Sequence, residues 1–378
     1  MTVHGERRSG GAGPTTPTTP TTSQPTAQPS TPRSPEGVPV ETVRQARRLA
    51  GRRGRLVLAG LLLAWLAAFA VRTLLGDYLI AVPDLVLILT GRADEVGVPG
   101  AEFILLQSKL PRAVVGTLAG MALGASGATF QLMARNPLAS PDVLGLTMGA
   151  SAAAVLTLVL LGGDGPVVVL AALAGAALVA LALLLLSASR AGSAPTRMIL
   201  IGIALSAMLT SVVHWTLLRA DIYRAHEAMV WLTGSLSGVT WPQVAGLALV
   251  VAVALPLLLA SASELHLVEL GDDLAHGVGA PPQRVRSVAL TLVVVLVASS
   301  TAVCGPIAFV AFLSGPIARR LLGGRAGIGA AALVGAVIVV LADHLGAYAL
   351  PDVNLPVGVI TGLVGAPFLL WLLTCERA

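Results

Sequence analysis

The 378-residue chain is 55% hydrophobic and only 11% charged, with a mean hydropathy of +0.85. One soluble core cannot hide that much apolar surface, so the composition excludes an ordinary globular protein and requires lipid as solvent. The net charge of +5 comes almost wholly from arginine. These arginines gather at the ends of apolar blocks rather than along one stripe, which argues against nucleic acid as a partner.

Residues 1–40 are rich in Thr, Pro, Ser and Gly, with the run TTPTTPTT from Thr15 to Thr22. Such a segment has too little apolar surface to offset the entropy of folding. A basic stretch follows, Arg44, Arg47, Arg48, Arg52, Arg53 and Arg55, and abuts the apolar block Leu56–Val71. That order, with Ala68-Phe69-Ala70 after it, also fits a cleaved signal peptide. The block is long and further apolar blocks follow it, so it is read as a first membrane span. Residues 1–55 are expected to be a disordered Thr/Pro-rich tail ending in a basic juxtamembrane segment, and 56–375 the membrane domain.

The apolar blocks have the length that carries a helix across a roughly 30 Å hydrocarbon core. Ten spans are expected near 56–75, 113–133, 142–161, 166–187, 197–218, 243–262, 287–303, 306–321, 328–346 and 356–373. An even number puts both termini on one side. With the N-terminus inside, the inner ends carry the arginines before residue 56, Arg135, Arg190, Arg197, Arg284, Arg286, Arg319, Arg320, Arg325 and Arg377. The outer ends carry only Arg72, Arg92, Lys109, Arg112, Arg219 and Arg224. This bias predicts an all-α polytopic membrane protein with both termini in the cytoplasm. Gly305-Pro306 reads as a tight outer turn, with one span plus a re-entrant segment over 287–321 as the alternative. Cys304 and Cys375 fall near opposite faces, too far apart for a disulfide, and read as small core residues.

Several segments invite closer reading. Gly116, Gly120 and Gly124, four residues apart, lay a flat strip along one helix face for close backbone packing. In Arg135-Asn136-Pro137-Leu138-Ala139-Ser140-Pro141-Asp142 the prolines stop one helix, and Asp142 is expected to cap the next. The loop 263–287 contains Glu269, Gly271, Asp272, Asp273, Leu274, Ala275, His276, Gly277 and Gly279, fitting two short helices broken by glycines. It is either a solvated connector or a docking element for a cytoplasmic protein. Lys109 and Arg112 form a basic pair before the second span, read as a seat for carboxylates of an external protein or as interfacial anchors. Within the apolar blocks lie His214, Asp343 and His344. A lone acid near a helix end reads as a cap or bundle contact rather than a proton path. There is no Gly-Lys-Ser/Thr phosphate loop, no His-Glu-x-x-His and no acidic metal cluster, so any ATP used is hydrolysed by another chain.

Together these segments resemble the iron-siderophore and vitamin B12 branch of ABC importer permeases. The resemblance covers roughly residues 56–375. It is carried by Lys109-Leu-Pro-Arg112, Gly124-Ala-Ser-Gly127 with Gln131, Arg135-Asn-Pro-Leu-Ala139, Pro141-Asp-Val-Leu-Gly145 and Gly149-Ala150. Further on come Trp231-Leu-Thr-Gly-Ser235, the Gly271-Asp-Asp loop, Gly305-Pro-Ile-Ala-Phe-Val310, Leu341-Ala-Asp343 and Leu355-Pro-Val-Gly358. The resemblance implies a ten-helix subunit of the type II importer fold in the cytoplasmic membrane. It also implies a second homologous permease subunit, two ATPase subunits, an extracytoplasmic siderophore-binding protein and a ferric siderophore as cargo. No cofactor would be bound directly, ATP being used by the partner. On this resemblance Glu269–Gly279 looks like the ATPase-docking loop, Arg135, Asn136 and Pro137 a cytoplasmic turn, and Lys109 with Arg112 the contact for the binding protein.

Two positions depart from the family pattern. Gly315 stands where a histidine is common in Pro-His-Ile-Ala-Arg, and Ala347 where some members carry an outer arginine. Within the family the chain looks most like the second permease subunit of ferric enterobactin importers, which implies a heterodimer and favours a catecholate cargo, with citrate and hydroxamate complexes left open. Haem and cobalamin are the other cargoes of such permeases. The rival readings are a proton-coupled secondary transporter, which would need Asp343 and His214, and an intramembrane enzyme, which would need a catalytic constellation that the sequence lacks.

Overall fold

In hydrocarbon a backbone N–H or C=O finds its partner only inside the protein, so apolar blocks fold as helices. A computed structural model describes residues 40–76, 79–187, 194–350 and 353–375, and among them there are helices and no strands. Contacts divide the chain into Met1–Arg48 and Leu49–Ala378, the helical bundle being the second. The Thr/Pro-rich tail up to residue 39 lies outside the described residues.

Helix α1 (Val40–Leu74) includes the basic stretch, so that segment continues the first span as helix. Next come α2 (Val82–Leu89), α3 (Ala101–Phe103), a π turn over Ile104–Lys109 and α4 (Leu110–Ala134). The π turn precedes Pro111, which lacks an N–H and crowds the carbonyl of the preceding turn; widening the helix there accommodates the ring. A 3₁₀ turn at Pro141–Leu144 leads into α5 (Leu146–Leu156), which ends in a second π turn, Thr157–Leu161. Helices α6 (Gly165–Ser187), α7 (Ala194–Leu217), α8 (Ile222–Leu232) and α9 (Trp241–Ala260) follow. After α9 the loop forms the two short helices its glycines predict, α10 (Ala262–Leu270) and α11 (Asp272–Gly277). The chain closes with α12 (Pro282–Cys304), α13 (Val310–Leu321), α14 (Ile328–Tyr348) and α15 (Val357–Cys375).

Among the described residues, seven helices are long and apolar enough to cross a membrane: Gly51–Leu74, Ala101–Ala134, Gly165–Leu186, Arg197–Leu217, Trp241–Ala260, Pro282–Cys304 and Ile328–Tyr348. Leu146–Leu161 and Val357–Leu372 are shorter apolar helices. The expected span at 306–321 is not one continuous helix. Helix α13 has 12 residues, about 18 Å at 1.5 Å per residue, against a hydrocarbon core of roughly 30 Å. Nor is Gly305-Pro306 a tight turn. Gly305 leaves helical geometry at φ 70°, residues 305–308 are non-helical, and α13 starts only after Phe309, itself left-handed at φ 65°. Span-length hydropathy also passes over α2, apolar but only 8 residues long, and α8, whose Arg224, His226 and Glu227 lower its apolar average.

Helix α4 packs along α14, and the glycines explain how. A Cβ at Gly120 would strike the Gly335 carbonyl, one at Gly124 the Ala331 carbonyl, and one at Gly335 the Gly120 carbonyl. The two backbones therefore touch, as small residues at four-residue spacing allow. Further along α4, Gly127 accepts the Ala311 carbonyl of α13 in the same way. A second glycine junction joins three separate segments. Ser235 N–H donates to the Cys304 carbonyl (2.8 Å) and Gly358 N–H to the Gly234 carbonyl (3.2 Å). Side chains at Gly234, Gly305 or Gly358 would collide with the carbonyls of Pro306, Trp231 and Thr233 respectively. Cys304 is buried there as a free thiol; the side chain of Cys375 lies outside the described residues.

Pro316 sits inside α13 and cannot donate to the carbonyl four residues earlier, that of Phe312. Gln131 of α4 fills the gap: its Nε2 donates to the Phe312 carbonyl at 3.0 Å, and both ends of this bond are buried. Replacing Gln131 by Leu should destabilise the protein by about 1–3 kcal/mol, the cost of one buried orphan carbonyl. Adding Pro316→Ala should restore part of the loss, because residue 316 then supplies the missing N–H. Thermal unfolding of the detergent-solubilised variants checks both, and a double variant no more stable than Gln131→Leu alone would break the assignment.

Candidate functional site

Charged side chains collect at two opposite ends of α4. At its start, Asp343 of α14 is 1% exposed and holds two arginines. Arg72 of α1, also buried, donates from Nε to Asp343 Oδ2 at 2.5 Å. Arg112 of α4 donates from Nε to both carboxylate oxygens at 2.9 Å and pairs through Nη2 at 2.8 Å. Lys109 is 4% exposed and its ammonium donates to the Leu75 carbonyl at 3.2 Å. In this chain Lys109 is thus buried and Arg112, partly exposed, leans on Asp343. The reading of Asp343 as a bundle contact holds, but its partner Arg72 was not foreseen. An apolar block flanked by a lone arginine and another by a lone acid was the available signal, since charges at membrane depth seek each other.

At the other end of α4 the sequence-predicted turn and loop come together. Arg135 ends the helix in the left-handed region, φ 50° and ψ 34°, where glycine or asparagine is usual. The strained backbone aims a guanidinium at the α10–α11 loop. Its Nη2 donates to the Val268 carbonyl at 2.7 Å and to Asp272 Oδ1 at 2.6 Å. Arg286 of α12 grips the same carboxylate with two parallel bonds, 2.8 and 2.7 Å. Asp272 thus ties α4, the loop and α12 together. The Arg286 hydrogen bond, aided by Arg135, holds the Asp272 carboxyl below the usual carboxylate range. A depressed folded-state pKa means the brace is fully formed above the ordinary carboxylate value and is released only as pH falls through the depressed one.

The remaining predicted residues divide into an anchored side and a displayed side. Ala275 is fully buried and sits in the core with Leu265, Val268 and Ala280. Gly271 (φ 136°) breaks α10 from α11, and Gly279 (φ 84°) turns the chain after it. Glu269 approaches Arg319 of α13 at 3.5 Å. Asp273, His276 and Gly277 are exposed, and His276 Nδ1 lies 2.9 Å from the Asp272 carbonyl. Leu270, Leu274 and Val278 are 70, 61 and 63% exposed. Leu274 and Val278, one turn apart at α11, and Leu270 at the end of α10 thus leave three apolar side chains exposed on an otherwise polar loop, and these went unread in the sequence. In the turn after α4, Asn136 Oδ1 accepts the Leu138 N–H at 2.9 Å and Pro137 is half-buried. Asp142 does not cap the next helical turn. Ser140 does, accepting the Asp142 N–H at 3.4 Å, and its hydroxyl donates to Asp142 Oδ2.

An open cavity of about 520 Å³ lies beside the glycine junction. Ser140, Asp142, Thr147 and Thr233 give it polar lining, Phe309 and Phe312 aromatic lining, and Pro306, Ile307 and Gly358 its backbone wall. Irregular backbone at membrane depth is tolerated where it borders such a cavity. Among the described residues no group of three or more His, Cys, Asp or Glu is placed to hold a metal ion.

Comparison with known proteins places this geometry. The model of the FecCD transport family matches residues 61–374. The Fe(3+)-citrate import system permease protein YfmE of Bacillus subtilis is 40% identical over 281 residues, 73% of this chain and 83% of that protein. The ferric enterobactin transport system permease protein FepG of Escherichia coli is 38% identical over 274 residues, 72% of this chain and 83% of its own. The achromobactin transport system permease protein CbrC of Dickeya dadantii is 40% identical over 282 residues, 74% of this chain and 80% of its own. Among solved structures, a metal-chelate type ABC transporter in an inward-facing conformation superposes with a TM-score of 0.74 at 24% identity, over 83% of this chain and 97% of that one. That likeness establishes the fold.

Removing one partner of a buried ion pair strands the other charge. Asp343→Asn should therefore lower stability by about 3–5 kcal/mol. Arg112→Gln, which leaves the carboxylate its Arg72 bond, should cost less. Chemical denaturation of the purified variants checks the order, and an Asp343→Asn protein as stable as the parent would refute the three-helix clamp.

Proposed function

We propose, from the fact that this chain belongs to the FecCD transport family, that it is the permease subunit of an ATP-binding-cassette importer moving a ferric siderophore or ferric citrate across the cytoplasmic membrane. The relatives named above carry the cargo reading, since each is named for import of a ferric chelate or of a siderophore. Identity to the citrate and achromobactin permeases equals or exceeds that to the enterobactin permease. The narrower catecholate reading therefore gains nothing from them, and the cargo is proposed at the level of a ferric chelate. Haem and cobalamin fit these names less well. Proton coupling through Asp343 is disfavoured, because two arginines already occupy that carboxylate.

The observation that carries the mechanism is the braced loop. Its apolar side chains Leu270, Leu274 and Val278 are exposed, while Ala275 and Asp272 fix the loop to the bundle. Exposed apolar side chains on a rigid mount are what a protein partner needs, and in this reading the partner is an ATPase subunit on the cytoplasmic side. Both termini then lie in the cytoplasm. A push on the loop reaches α4 through Arg135 and α12 through Arg286, and α4 bears on α14 along its glycine strip. Two ATPase subunits, a second and non-identical permease and an extracytoplasmic binding protein complete the machine. The open cavity beside Phe309 supplies this subunit's half of a cargo path, which the second permease would close. The cargo passes chemically unchanged, and ATP is used only by the partner.

Affinity purification of the tagged chain in mild detergent, with mass spectrometry of the bound proteins, is the first test. Recovery of an ATPase and a second permease is the expected result; the chain alone, even after cross-linking at Leu274, would overturn the assignment. Leu274→Asp should lower ATPase recovery at least about tenfold, the scale of an interface anchor. Gly277→Ala should leave the melting transition of the chain unchanged, because a Cβ there meets nothing of this chain within 4 Å.

A further inference from the structure

At the bundle end that carries Asp272, a group of arginines remains outside every ion pair described above. Arg52, Arg53 and Arg55 are exposed on α1, and Arg320 and Arg325 are exposed at the turn between α13 and α14. Arg53 links the two places, donating from Nε to the Leu321 carbonyl at 3.1 Å. Its guanidinium also fills the space beside Gly323, which a Cβ there would invade. Among the described residues no carboxylate pairs with any of these arginines, whereas the neighbouring Arg319 is engaged with Glu269.

Their height along the bundle identifies what they meet. Leu56, directly after Arg55, is 65% exposed, and Leu63 and Leu66 continue an outward apolar face on a helix that buries almost nothing against its neighbours. Such a face lies in hydrocarbon. Arg52 is one turn before Leu56, about 6 Å along the axis, so its guanidinium reaches the phosphate layer. An independent marker agrees. Trp371 of α15 is 46% exposed and stacks under the guanidinium of Arg320 at 4.3 Å, and exposed tryptophans of membrane proteins collect at the headgroup level.

We infer that Arg52, Arg53, Arg55, Arg320 and Arg325 form a collar that holds the phosphate headgroups of anionic phospholipids. Guanidinium binds phosphate through paired N–H bonds, and a cluster of cations beside a span attracts anionic lipid. A cytoplasmic protein is the less suitable occupant, because the collar adjoins lipid-facing leucines. Leu270, Leu274 and Val278, proposed above to face the ATPase, are not among these arginines, and their loop adjoins them through Glu269, which pairs with Arg319. The inference is independent of the cargo and of ATPase binding.

The full chain, purified with whatever subunits accompany it, is exchanged into micelles containing equal phosphatidylglycerol and phosphatidylcholine, and retained lipid is measured by native mass spectrometry. The parent should retain phosphatidylglycerol at least about tenfold over phosphatidylcholine. R52Q/R53Q/R55Q/R320Q/R325Q should bring the ratio close to one, and the corresponding five-lysine variant should keep most of the preference. If the glutamine variant does not fold, as judged by its melting transition in phosphatidylcholine, the parent at about 1 M salt replaces it, since screening then cuts range to about 3 Å. No preference in the parent, a preference surviving both the glutamine variant and salt, or a preference seen only with an ATPase bound would each overturn the collar.

Discussion

In a hydrocarbon solvent, no water is present to satisfy a backbone polar group, and this single constraint organises most of the molecule. At two breaks in the helix ladder, a residue from elsewhere closes the gap. Pro316 removes a donor from α13 and Gln131 of α4 supplies one to the Phe312 carbonyl. Cys304 ends α12, and its carbonyl is taken by the N–H of Ser235. These repairs join elements far apart in sequence, so the breaks that weaken individual helices also fix how they pack.

The same constraint governs the charges. A single carboxylate at membrane depth is tolerated because Arg72 and Arg112 surround it, and the clamp fastens α1, α4 and α14 at one end of the bundle. At the other end Asp272 plays the corresponding part between Arg135 and Arg286, but half in water. The difference in exposure sets different tasks. A dry clamp is costly to open and suits a fixed corner. A wet brace is weaker and suits a joint that transmits force, which is the role proposed for it beneath the exposed apolar side chains of the loop.

The sequence alone determined a great deal. Apolar block length and arginine placement fixed a helical membrane protein, because both report on local solvent. The glycines of α4 announced a close helix contact, and Gly271 with Gly279 announced a broken loop, because backbone conformation is a short-range property. The ordered motifs identified the family that the comparisons then established. Local pattern also has a blind side: α8 passed unseen because its charged residues dilute its hydropathy, and α13 was read as a full span because Gly305-Pro306 gives no sign of where the next helix resumes.

Only the tertiary structure decided which side chains serve the interior. Lys109 and Arg112 look in the sequence like surface cations, yet Lys109 is buried against the Leu75 carbonyl and Arg112, partly exposed, leans on Asp343. Arg135 and Asp272 are more than a hundred residues apart, and nothing local says that one ends a helix in a left-handed turn so as to reach the other. The physical reason is common to both cases. A helix propensity or a hydropathy average depends on neighbours in the chain, whereas an ion pair or a borrowed hydrogen bond depends on which distant segment folding brings within about 3 Å.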